Sequence, residues 1–171
     1  MDEMALLVDL HLEAERQGPG GDEATRRALM LSGLEGRAGL RVADLGCGTG
    51  RATRLLAREL GAQVTAVDFL APFLERLERD AAREGLSERI ETVCASMAAL
   101  PFEAGAFDAI WSEGAIYNMG FAAGISAWRR FLKPGGVLVA SEITWLTAER
   151  PDEITAHWQA EYPQIDTASA K

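Results

Sequence analysis

Apolar residues recur at two different periods along this chain, and the alternation between them specifies the fold class. Leu6, Leu7, Leu10 and Ala14 stand at three- and four-residue steps, which predicts an amphipathic first helix broken by Gly18-Pro19-Gly20-Gly21. A second helix follows with Asp22 as its N-cap. From Leu40 the pattern shortens: residues 40–45 form a largely apolar run stopped by glycine, and residues 51–60 return to helical spacing. The cycle repeats with a strand at 63–67, a helix at 72–84 and a strand at 89–95. Residues 107–111 and 137–143 supply a fourth and a fifth strand. The helix between them, about 124–131, is terminated by Lys133-Pro134-Gly135-Gly136. The tail, 144–171, is polar and aromatic and shows no clear strand pattern.

Strands alternating with helices of this length make βαβ units, and right-handed crossovers place helices on both faces of the sheet. The expected architecture is α/β, a doubly wound, mostly parallel sheet. At 171 residues the chain is the size of one domain.

Charge and composition narrow the partners. The formal net charge is -9 and the basic residues are scattered without forming a block, so no footprint for a phosphate backbone exists and nucleic acid is not expected as a partner. Cys47 and Cys94 have neither metal-ligand spacing nor the look of a disulfide framework, so both read as free thiols, and no metal is expected. The first seventeen residues lack a signal peptide's basic start and apolar stretch, and no segment reaches the roughly 18 apolar residues of a membrane span. A cytoplasmic protein without a membrane partner is expected.

The chemistry gathers where strands end. In an open parallel sheet the ligand lies at the carboxyl ends of the strands, and the turn after the first strand approaches it most closely. Here that turn is Gly46-Cys47-Gly48-Thr49-Gly50, where a side chain would hold a ligand off the backbone and where positive φ is expected. Position 51 is arginine, so the G-x-G-x-x-G dinucleotide fingerprint fails. Asp44 adds a carboxylate that would repel a pyrophosphate and suits a cation or an amino group, or else it bonds the loop amides. Asp68 ends the second strand, where a carboxylate reaches the two hydroxyls of a ribose or caps the next helix. Phe69 is placed to cover an adenine or to join the core.

The segments VADLGCGTG, AVDFL, ASMAALPF, FDAIWSEGAIYNMG and LKPGGVLVASE resemble the successive motifs of class I S-adenosylmethionine-dependent methyltransferases. ERQGPG, SEGAIYNMG and the tail are similar to a narrower bacterial group acting on small molecules. The resemblance implies S-adenosyl-L-methionine as cofactor, with Gly46, Cys47 and Gly48 against its methionine moiety and Asp44 nearby. Asp68 would hold the ribose, Phe69 would flank the adenine, and Ser96 and Met97 would line the adenine pocket. Many relatives carry aspartate where Ser96 stands, so that contact departs from the pattern. Gln17 would belong to a lid. On this basis residues 1–36 form an N-terminal helical lid segment, 37–143 the cofactor-binding core, and 144–171 a C-terminal lid or tail. Relatives continue past this point into another helix and a C-terminal antiparallel hairpin; either the sequence is a shortened piece of a longer protein, or a second copy of the chain, as a homodimer, would cover the fifth strand.

Methyl transfer from a sulfonium is an in-line displacement without a covalent enzyme intermediate. Glu113, Tyr117 and His157 are the candidates to orient or deprotonate the acceptor, none of them assigned as essential, and Glu113 is equally placed for a cap or cofactor contact. Trp158 and Tyr162 read as surface packing. The expected function is methylation of a small-molecule acceptor. The alternative is a noncatalytic module that binds the cofactor as a sensor or docking surface.

Overall fold

The computed structural model describes residues 3–171. Two helices lead, α1 (Glu3–His11) and α2 (Asp22–Ser32). A regular alternation follows: β1 (Arg41–Leu45), α3 (Arg51–Leu60), β2 (Gln63–Asp68), α4 (Ala71–Arg83) and β3 (Ile90–Cys94). Then come β4 (Phe107–Ser112), α5 (Phe121–Trp128) and β5 (Leu132–Ala140), and the tail adds β6 (Thr144–Trp145), α6 (Asp152–Glu161) and β7 (Asp166–Thr167). The five long strands form one sheet in the order β3-β2-β1-β4-β5, with every pair parallel. Strand order therefore reverses between β1 and β4, which opens a cleft at their carboxyl ends.

Strand alternation divides the core between the two faces of the sheet. Val42, Val64, Ala109 and Trp111 meet Leu29 of α2 and Leu56 and Ala57 of α3. Ala43, Leu45, Val67 and Ile110 meet Ile116, Trp128 and Phe131 on the other side. Full burial of a side chain such as Leu56 stabilises by roughly 1.5–3 kcal/mol, so these two layers hold the sheet rigid beneath the cleft.

The layers are as the periodicity predicts, and several boundaries differ for local reasons. α1 stops at His11, well before the glycine run, and Leu6, Leu7 and Leu10 are exposed instead of forming an inward face. The Gln17 side chain ends the helix by donating Nε2 to the carbonyls of His11 and Ala14. Asp22 does not cap α2: Gly21 holds the N-cap position, and the Asp22 carboxylate is taken by Arg16 and Arg51.

Lys133-Pro134-Gly135-Gly136 lies within β5, after α5 has ended at Trp128 and a single 3-10 turn has carried the chain to Phe131. Pairing jumps from Phe107 with Leu132 to Ala109 with Val137, a bulge that accommodates the proline and the positive φ of Gly135. β5 then ends at Ala140, because Ser141 turns to donate its amide to Ser112 and accept from Gly114 at Oγ. In the tail, β6 and β7 pair in parallel around α6, an exposed helix with no apolar face to announce it.

Candidate functional site

The glycine loop is stitched to the end of the neighbouring strand. The amides of Gly46 and Cys47 both donate to the Val67 carbonyl, at 2.8 and 3.0 Å. Gly46 and Gly48 adopt positive φ, +73° and +56°. A Cβ on Gly48 would lie 2.1 Å from Gln17 Oε1, and one on Gly46 would lie 2.4 Å from the Ala115 Cβ. The expectation of positive φ holds, while the atoms that exclude a side chain belong to the protein itself. Gln17 is seated there by accepting from the Thr49 amide and donating to the Thr49 hydroxyl, both at 3.0 Å.

Asp68 links this loop to the next helix. Its Oδ2 accepts from the Gly48 amide and its Oδ1 from the Leu70 amide, each at 2.9 Å. Burial raises its carboxyl above the ordinary range, opposed by those amide bonds. Asp44 faces α3, where Oδ2 accepts from the Thr53 hydroxyl at 2.6 Å. Burial pushes Asp44 up to about 7; the Thr53 bond opposes this and the charge of Glu113 adds to it. The Cys47 thiol is pushed well above its usual value by burial and by the charges of Asp44 and Asp68, so it is not a nucleophile at neutral pH.

The N-terminal segment is latched across the cleft. Glu113 Oε2 accepts from Arg16 at 3.0 Å and from the Thr25 hydroxyl at 2.9 Å, and Oε1 accepts from the Trp111 indole at 2.8 Å. A carboxylate holding three donors is built as an anchor. Arg51 completes the latch through Asp22 and Glu15.

A cavity of about 610 Å³ opens between these elements. Gln17, Asp44, Gly46, Cys47, Gly48, Asp68, Phe69, Ser96, Met97 and Glu113, the whole set expected at a cofactor, line it together. Phe69 is 55% exposed, with its ring on the cavity wall and not in the core. Tyr117 also lines the cavity, whereas His157 stands on the exposed face of α6 and is not part of the lining. His11 does line it. Helical spacing in the sequence offers no signal for this residue, because its position depends on the turn that Gln17 imposes.

Among the described residues, the tail contributes nothing to the cavity wall. Tyr162 is buried, contrary to the surface role expected of it, and packs edge-on to Tyr117 at 6.2 Å. Its hydroxyl donates to Glu142, and Lys171 bonds the same carboxylate oxygen. Gln164 lies against Gly120. The tail thus buttresses the 113–121 loop from behind.

Comparison with known proteins agrees with this geometry. Residues 42–136 match the family model described as "Methyltransferase domain". The malonyl-[acyl-carrier protein] O-methyltransferase of Salmonella typhimurium is 36% identical over 133 residues, covering 77% of this chain and 49% of that protein. The sterol 24-C-methyltransferase ERG6B of Gibberella zeae is 32% identical, covering 66% and 30%. The chain therefore spans less than half the length of these relatives. In fold it is similar to YjhP from E. coli, with a TM-score of 0.81 at 24% identity over 95% of this chain and 66% of that one. With more than half its length matched by the family model and the motif loops meeting in one cleft, the chain belongs to the class I S-adenosylmethionine-dependent methyltransferase family.

Proposed function

We propose that this domain binds S-adenosylmethionine in the cavity and transfers its methyl group to a small-molecule acceptor. The observation that carries the reading is the convergence of Gly46, Gly48 and Asp68 on one cleft at the reversal point of the sheet. The residues present suit that cofactor. Each Asp68 oxygen accepts one amide and keeps lone-pair capacity for a sugar hydroxyl. Phe69 offers an exposed ring beside it, with Ser96 and Met97 on the neighbouring wall. Asp44, Asp68 and Glu113 make the lining rich in acid, which favours a sulfonium and an ammonium over a pyrophosphate.

Bound there, the cofactor supplies an electrophilic methyl group on a positively charged sulfur. The chain's own work is positioning: a nucleophile must be held in line at roughly 3–3.5 Å with water excluded. The segment 15–19 serves as the lid, latched by Arg16 to Glu113 and by Gln17 to Thr49. Tyr117 and Asn118 line the cavity after β4 and are placed to orient the acceptor. One relative is named for methylating an oxygen and another for methylating a carbon, so the shared core does not dictate the acceptor atom.

Free Cys47 and Cys94 support a reducing, cytoplasmic setting, and no described helix is long and apolar enough to cross a membrane. Among the described residues no strand pairs with the outer edge of β5, and a homodimer that covers this edge is part of the proposal. The activity is tested by incubating the chain with methyl-tritiated S-adenosylmethionine and a fractionated small-metabolite extract. Label passing into a small-molecule fraction is expected. A chain that binds the cofactor and labels nothing would overturn the assignment.

A further inference from the structure

We propose that His11 is the general base of this site and that its acceptor is a neutral molecule bearing an O–H or N–H. The inference rests on the cofactor reading above and deepens it. His11 closes α1, and its carbonyl accepts from Gln17 Nε2 at 3.2 Å while Gln17 Oε1 accepts from the Thr49 amide. One side chain therefore ties His11 to the glycine loop, and His11 lines the same cavity as Gly48 and Asp68.

The carboxylates and arginines of the lining are already committed. On the same segment, Arg16 is bound to Glu113 and Asp22, and Glu15 pairs with Arg51 of α3. Asp44 on β1 is held by Thr53, and Asp68 at the end of β2 by two amides. After β4, Glu113 carries three donors. The Cys47 thiol is pushed well above its usual value, chiefly by desolvation, and Tyr117 packs edge-on against Tyr162. Among the described residues the His11 ring has no hydrogen-bond or ion-pair partner. Imidazole is also the side chain suited to taking a proton near neutral pH.

The charge inventory gives the acceptor class. Arg16 and Arg51 are the cationic side chains of the lining, and both are spent on carboxylates. Among the described residues of the lining, a phosphate or carboxylate on the acceptor finds no uncommitted arginine or lysine, and the chain's net charge of -9 repels it at longer range. In the step itself the imidazole takes the acceptor's proton and the freed lone pair bonds the methyl carbon. The carbon–sulfur pair returns to sulfur, leaving a neutral thioether, a methylated acceptor and an imidazolium.

The chain has two histidines, and His157 outside the cavity serves as internal control. Imidazole signals are followed by NMR against pH with saturating sinefungin, which carries an ammonium in place of the methyl sulfonium, and with S-adenosylhomocysteine, which carries a neutral sulfur. Calorimetry on the same samples establishes that each binds. The His11 midpoint is expected about one pH unit or more lower with sinefungin, the scale of a unit charge within roughly 6 Å in a partly wet site. His157 should not differ between the two. Equal His11 midpoints, or a His157 difference of the same size, overturn the inference while leaving cofactor binding intact. Failure of the folded chain to bind either compound overturns the cofactor reading and the inference with it.

Discussion

Asp68 and Gly48 stand twenty residues apart in the chain and are joined by one hydrogen bond, the Gly48 amide donating to Asp68 Oδ2 at 2.9 Å. The other carboxylate oxygen takes the Leu70 amide at the start of α4. The two roles that compete for this residue in the sequence, holding a sugar and starting a helix, are thus compatible in one geometry. A single acid on the cavity wall ties the glycine loop to the start of the next helix.

Replacing Asp68 should therefore damage binding more than stability alone explains. Hydrogen bonds to a charged group contribute about 1.5–3 kcal/mol, so D68N should weaken S-adenosylhomocysteine binding by about 10- to 150-fold. D68A should weaken it further. Titration calorimetry on variants shown to be folded measures both, and unchanged affinity in D68N would contradict the sugar-holding role.

Gly48 and Gln17 should be energetically coupled. G48A places a Cβ at a left-handed φ, costing roughly 1–2 kcal/mol, and it also expels the Gln17 amide from its seat. In a Q17A background only the backbone strain remains, so the cost of G48A should shrink by about 1 kcal/mol. Urea unfolding of the double-mutant cycle reads this directly, and strict additivity would mean that Gln17 does not dock on the loop.

The latch across the cleft predicts two different outcomes at Glu113. E113A removes the acceptor shared by Arg16, Thr25 and Trp111 and leaves Arg16 paired with Asp22, so the loss should approach but not exceed the roughly 3–5 kcal/mol of breaking a fully buried pair. The Trp111 fluorescence should change with it. E113Q retains an acceptor oxygen and should keep most of any methyl transfer. Abolished transfer in a stable E113Q would point to a proton-transfer role instead.

Asp44 should make stability fall as pH rises through the weakly acidic range. Its folded value is raised from 3.8 to about 7, so the native state holds the proton more tightly than the unfolded chain. The resulting stabilisation is complete below 3.8 and is lost as pH climbs towards 7. D44N removes the titration and should gain stability relative to the parent between pH 4 and 7. A cationic ligand beside Asp44 favours the carboxylate, so ligand binding near pH 6 should release a proton, measured by calorimetry in buffers of different ionisation enthalpy.

How much of this was legible in the sequence depends on where each position gets its instructions. The β1–α3–β2 unit was readable because local pattern and final packing agree: Ala52, Leu55 and Leu56 stand at three- and four-residue steps and are buried there, and Arg51–Leu60 is the observed helix. The cavity lining was readable through Gly46, Gly48 and Asp68, whose chemistry is tied to strand ends. α6 was invisible because its residues share no buried face, and the bulge at Gly135 because a proline-glycine run reads as a helix stop until a neighbouring strand fixes its register. Asp22 and His11 were misjudged or passed over for the same reason. Their partners, Arg51 for the first and the cavity for the second, are brought near only by tertiary structure.

The most direct measurement is the electron density of S-adenosylhomocysteine bound to crystals of this chain. The account predicts ribose hydroxyls on Asp68, adenine beside Phe69, and the amino-acid end against Gly46 and Gly48. Density in any other cleft, or none at saturating ligand, would contradict it.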